Sequence, residues 1–204
     1  MKKHTLLILF VVAGLLTGCN TQEKDRELAE QLNNEGVEQL QKQNFENATK
    51  LFKSSVEADY TYTEPHAYLI QIYLNQADFD AALAESEIVI EKSPEEAENW
   101  VLAGILTEKK GNKELAFSYY KESIKWFQKR LEEQKENLDP EIDHELPLQD
   151  EINIIFSHLL LENEEKSNAL IAELEDRFPN NAMIQNLYDF DKAMYLESLF
   201  PEME

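Results

Sequence analysis

Apolar residues along this chain of 204 residues recur every three or four positions, and almost nothing alternates with the two-residue period of a half-buried strand. The pattern predicts an all-α protein. Helical stretches fall into pairs: about Glu27 to Lys42 with Phe45 to Ala58, then Pro65 to Gln76 with Phe79 to Lys92, then Pro94 to Lys110 with a helix opening at Lys113. The breaks contain Gln43-Asn44, Ala77-Asp78 and Gly111-Asn112, short turns of the kind that join antiparallel helices. Pro94 is expected at a helix start, where its missing N–H costs nothing.

Ala48, Ala82 and Ala116 stand 34 residues apart each time. A small residue is needed where two antiparallel helices cross closely, because a larger one would push the axes beyond the usual ~8–10 Å. Bulky neighbours such as Phe52, Trp100 and Tyr120 then fill the space between successive hairpins, since one hairpin cannot bury its own apolar face. Around Ala116 stand Trp100, Gly104, Gly111, Tyr120 and Ser123; around Ala82, Leu69, Tyr73, Phe79 and the closing Pro94; around Ala48, Leu32, Gly36, Phe45 and Phe52. This period and these residues resemble the tetratricopeptide (TPR) family over about half the chain. The resemblance implies an α–α superhelix of hairpins that binds other proteins, with repeats at about 29–62, 63–96 and 97–130.

Beyond Ala116 the register fails. The helix continues through Trp126, Phe127 and Leu131 to about Glu136, and an acidic, two-proline loop follows at 137–147. A fourth, degenerate repeat fits 148–179, as Leu148 to Leu161 and Glu165 to Phe178, with Ser167 in the alanine position and an insertion of 17 residues before it. A single last helix, about Asn181 to Leu199 within 181–200, is expected to cap the open end of the array.

The start of the chain has a different character. Lys2 and Lys3 precede an apolar run from Leu6 to Leu16, the layout of a secretory signal peptide over 1–18 and too short for an ordinary spanning helix of roughly 20 residues. Leu16-Thr17-Gly18-Cys19 resembles the bacterial lipobox, which implies cleavage after Gly18 and acylation of Cys19. Cys19 is the only cysteine, so no internal disulfide is possible, and a lipid thioether would remove the liability of a free thiol in an oxidising compartment. Multiple acyl chains at ~0.8 kcal/mol per buried methylene anchor stably. The polar segment 19–26 reads as a tether spanning only ~15 Å. Asn20, in place of an aspartate, favours an outer-membrane address facing the periplasm.

Charge narrows the class of partner. Loss of Lys2 and Lys3 leaves 17 basic side chains against 41 acidic ones, a formal charge of −24, which repels phosphates and anionic head groups and argues against nucleic acid. Catalytic patterns are absent: there is no Gly-x-Ser-x-Gly, no glycine-rich phosphate loop and no HExxH, so neither an enzyme nor a cofactor is expected. Asp139, Glu141, Asp143 and Glu145, with Asp150 in the twelfth position, mimic a calcium loop, but His144 replaces the required glycine. A solvated acidic loop and no metal are expected.

In TPR arrays the first helix of each pair lines a concave groove, mainly through repeat positions two, five, nine, twelve and thirteen. By that resemblance the groove residues here are Glu30, Asn33, Val37, Leu40 and Gln41; Glu64, Ala67, Gln71, Leu74 and Asn75; and Glu98, Val101, Ile105, Glu108 and Lys109. The second, fifth and ninth positions carry no lysine or arginine, unlike the family members that clamp a C-terminal carboxylate. An open groove, apolar at its middle and acidic along one margin, is expected to receive a protein or peptide segment. The whole resembles the outer-membrane TPR lipoproteins that act as secretin pilotins, assembly factors or docking sites for envelope hydrolases. A solute receptor is the alternative.

Overall fold

The computed structural model describes residues 25–137 and 148–200. The signal peptide, Cys19, most of the tether and nearly all of the acidic loop lie outside the described residues. Ten α-helices and no strand are present among those described. The first eight form four antiparallel hairpins: α1 (Arg26–Gln41) with α2 (Phe45–Ala58), α3 (Glu64–Asn75) with α4 (Phe79–Lys92), α5 (Ala97–Lys109) with α6 (Lys113–Asn137), and α7 (Leu148–Leu160) with α8 (Glu164–Arg177). Each hairpin stacks on the next. The all-α superhelix read from the sequence is therefore the fold observed.

The 34-residue register has its expected physical basis. Ala48, Ala82, Ala116 and Ser167 are all fully buried. Two glycines add a tighter version of the same contact. A Cβ on Gly36 would lie 2.6 Å from the Phe52 ring, and one on Gly104 would collide with the Tyr120 ring. In the second repeat the equivalent positions carry Ile70 and Ser86, both buried, so bulk has moved from the second helix of the hairpin to the first. Stacking between repeats is aromatic where Phe52 faces Tyr68 at 4.8 Å.

All four hairpin turns share one backbone device. Gln43, Ala77, Gly111 and Glu162 have φ of 59°, 55°, 83° and 58°, so each first helix ends on a left-handed residue. Asp78, Asn112 and Asn163 then accept a backbone N–H at the start of the following helix. The helix expected from Pro94 begins instead at Ala97. Ser93 to Glu96 form the inter-repeat turn, and the Pro94 carbonyl accepts the Trp100 indole N–H at 2.8 Å.

The extended α6 carries the array across the insertion. Its Phe127 and Leu131 join Ile124, Ala97 and Ile154 in a second apolar cluster. Arg130 clamps the junction, binding Asp150 at 2.5 and 2.9 Å and Glu98 at 2.6 Å, and this pairing raises the already high guanidinium pKa. Asp150, the twelfth position of the calcium-like spacing, is buried and committed to Arg130.

The C-terminal end departs from expectation. The single capping helix is two, α9 (Ala182–Tyr188) and α10 (Lys192–Leu199). Asp191 starts α10 by accepting the Met194 N–H at 2.9 Å. Only α9 caps the array, through Ile184 packed with Ile171 and Leu174 of α8. The other helix turns back.

Candidate partner-binding groove

The groove positions proposed from the family pattern lie on α1, α3 and α5, but they do not share one open surface. Asn33 is buried, and its amide donates to the Tyr62 hydroxyl at 3.3 Å and to Glu64 at 3.2 Å. It is a structural link between the first two repeats. Tyr62 in turn donates to Glu64 at 2.6 Å, and burial beside that carboxylate raises its phenol pKa well above the ordinary value. Gln41, Ala67, Gln71, Asn75 and Lys109 are exposed; Val37, Leu40, Leu74, Val101 and Glu108 are half-buried; Ile105 is only 5 % exposed.

Ile105 and Leu74 belong to an apolar cluster that the C-terminal segment joins. The largest apolar cluster contains Leu74, Ile105 and Leu160 together with Phe190, Tyr195, Leu196 and Phe200 from the C-terminal segment. The expectation of an open groove is corrected here: the part formed by repeats two to four is closed by the chain's own last helix. The reason is chemical. A ninth-position isoleucine on the concave face is too apolar to leave in water, and α10 offers matching side chains.

Contacts along α10 show its direction. At its start the Lys192 ammonium sits among Glu108 Oε1 at 2.6 Å, the Leu160 carbonyl at 2.6 Å and Glu162 Oε1 at 3.2 Å. It also lies over the Phe117 and Tyr120 rings, 4.9 and 5.8 Å from their centroids. This half-buried cation is satisfied by two carboxylates and sits at the C-terminal end of α7, where a helix dipole favours positive charge. Glu108 is fixed from the other side by the Tyr120 hydroxyl, which donates to Oε2 at 2.9 Å; burial and this carboxylate hold the Tyr120 phenol protonated far above its ordinary range.

Midway along, Tyr195 meets Phe156 edge-on at 5.2 Å, and Phe190 meets the same ring at 5.3 Å. Phe156 occupies the ninth position of the fourth repeat, equivalent to Ile105. At the far end Phe200 packs edge-on against Phe79 at 4.7 Å, with the Lys109 ammonium 4.7 Å above its ring. The segment thus runs from the fourth repeat, across the third, to the second. Around this segment Ile105, Glu108 and Lys109, among the expected groove residues, lie with Phe156, Leu160 and Glu162. Their place 51 residues beyond the third repeat, past an insertion, hid them from the 34-residue register.

The other titratable groups serve the scaffold. His66 is buried and pairs with Glu85 at 2.6 Å. His158 is held below the ordinary histidine pKa by burial and by the nearby Lys166 ammonium. No group of histidine, cysteine and carboxylate residues suited to a metal ion occurs among the described residues.

No protein-family model and no curated protein matches the sequence. Solved structures do. YrrB, a TPR protein with an unusual peptide-binding site, superposes with a TM-score of 0.50 at 15% identity, over 81% of this chain and 77% of that one. A crystal structure of MamA gives 0.50 at 16% identity over 73% and 79% of the two chains. A double mutant of MamA from RS-1 gives 0.50 at 12% identity over 81% and 78%. The fold is that of a TPR array.

Proposed function

We propose that this protein is a lipid-anchored scaffold or adaptor of the bacterial cell envelope that holds a helical segment of a protein partner on the concave face of its TPR array. One observation carries this reading. The concave face already receives a two-turn helix lengthwise, burying a lysine against carboxylates at one end and a phenylalanine at the other. A surface with those dimensions and that chemistry is a peptide-sized site. The likeness in fold to YrrB, a TPR protein with a peptide-binding site of its own, supports a similar use.

Attachment rests on sequence. The apolar run ending in Leu16-Thr17-Gly18-Cys19 supplies the lipid acceptor, and among the described residues no helix is long and apolar enough to cross a membrane. Asn20 favours the outer membrane, facing the periplasm. The test is capture from detergent-solubilised membranes with the lipidated protein and with Leu74→Arg, which puts a charge at a half-buried groove position. The reading requires a stoichiometric protein partner that is lost on the variant while its thermal melt stays nearly unchanged. Equal capture by both proteins, or no stoichiometric protein with either, would overturn it.

A further inference from the structure

α10 is attached differently from every other helix. No residue within it is buried, and Met194 and Leu199 are 68% and 42% exposed. Its hold on the array comes from Lys192, Tyr195, Leu196 and the following Phe200, which at spacings of three, four and eight residues share one helical face. The hairpins, by contrast, meet through fully buried alanines and glycines that bring backbones together. Eight residues are too few to stay helical alone in water, so α10 is a helix because the groove holds it.

The hairpins pack on one another without α10 between them. The link to α9 is three residues, Asp189-Phe190-Asp191, and α9 is anchored separately on α8. The interior beneath the groove is built by the repeats themselves, with Leu69, Ile72, Ala103 and Leu106 all within 1% of complete burial. What would be uncovered is a defined pattern: Glu108 and Glu162, then Phe156 and Ile105, then Phe79.

We propose that α10 is a resident occupant of the concave groove, and that the partner is an amphipathic helix which displaces it by presenting the same face, a lysine or arginine followed three, four and eight positions later by aromatic or leucine side chains. This rests on the concave face being the partner site. The commitment to a basic helix follows from Glu108: Glu162 keeps its pairing with Lys113 at 2.6 Å, but Glu108, 12% exposed, would lose the Lys192 ammonium and be left beside apolar rings with the Tyr120 hydroxyl. The chain's large negative charge would steer such a helix toward the site. A segment tethered by so short a link acts at an effective concentration of roughly millimolar. With an intrinsic dissociation constant in the tens of micromolar, it would weaken a competing helix by about 10- to 100-fold.

The experiment uses the mature full-length chain and a fluorescein-labelled synthetic peptide with the sequence of residues 190–200, read by anisotropy. The protein variant Lys192→Ala/Phe200→Ala, which loses both ends of its own attachment, should bind the peptide at least ~10-fold more tightly than the unaltered protein. Adding Leu74→Arg should remove that binding, and Glu108→Gln should weaken it. Hydrogen exchange supplies a second readout: α10 amides in the unaltered protein should exchange far faster than those of α5. Equal peptide affinity for the two proteins, or α10 protection equal to that of α5, overturns the proposal; so does absence of binding to a variant whose circular dichroism shows an intact array. Failure of the scaffold reading looks different. Peptide binding with no partner captured from membranes leaves the groove mechanism standing, whereas a partner captured equally by the unaltered protein and by Lys192→Ala/Phe200→Ala, yet lost on Leu74→Arg, leaves the scaffold standing without the gate.

Discussion

Gly104→Ala tests whether the close glycine contacts, as well as the alanines, set the hairpin spacing. An added Cβ would collide with the Tyr120 ring. The ring cannot swing away: it is fully buried and its hydroxyl is tied to Glu108 at 2.9 Å. Overpacking of this kind costs ~1–3 kcal/mol. Alanine in place of glycine in a helix returns up to ~1 kcal/mol of propensity. The steric term wins, so a net loss of ~1–2 kcal/mol is expected, read by urea unfolding followed by far-ultraviolet circular dichroism. The sharper test repeats the substitution in Tyr120→Leu. With the ring gone the Cβ has room, the propensity term remains, and Gly104→Ala should now stabilise by ~0.5–1 kcal/mol, a coupling of at least ~1.5 kcal/mol. Additivity within ~0.5 kcal/mol would refute the steric argument. The second repeat shows the same exchange made by nature, with Ile70 where a glycine stands elsewhere and Ser86 where the ring would be.

Ala77 sits in a left-handed turn at φ 55°, so Ala77→Gly should relieve part of a strain of ~1–2 kcal/mol and raise the melting temperature; Gly111→Ala, at φ 83° with open space where the Cβ would stand, should lower it. His158 has a folded pKa below the ordinary value, so its neutral form stabilises above about pH 6.5 and that contribution is lost as pH falls from there through the folded value. Urea midpoints should therefore drop less on acidification across that window for His158→Gln than for the unaltered protein, and parallel curves would count against the argument. Cys19→Ser should block lipoprotein processing and abolish incorporation of a palmitate analogue; label retained on the variant would dismiss the lipobox.

The hairpins were legible because their determinants are short-range and periodic. Ala48, Ala82 and Ala116 fall at a fixed interval, and even the degenerate Ser167 is fully buried where the register puts it. The backbone conformation five residues before that signal was not legible. Nothing in the composition marks Gln43, Ala77 or Glu162 as left-handed; only Gly111 advertises it, and the others are forced by the need to end one helix and start its antiparallel neighbour within three residues. Pro94 misled in the opposite direction. A proline suits a first helical turn, but here its carbonyl is taken by the Trp100 indole, and the helix opens three residues later.

The groove was half legible for a reason that bears on its use. A family pattern identifies which faces of α1, α3 and α5 converge, yet it says nothing of what lies on them, because α10 has no repeat partner and its contacts join residues such as Lys192 and Glu108, far apart in sequence. The signal that was present is the Asp191 cap followed by Lys192, Tyr195, Leu196 and Phe200 on one face, a stripe too short to stabilise a helix and too apolar to be solvated. Such a stripe needs a partner, and the structure shows it using the groove. The same reasoning applies to the groove itself: Ile105 at a position that family members leave open for ligand is covered here by a helix with little other support. Two surfaces that each require a partner, joined by a three-residue link, satisfy one another until a better-matched helix arrives, and the energetic cost of that exchange is set by Lys192 and Phe200 at its two ends.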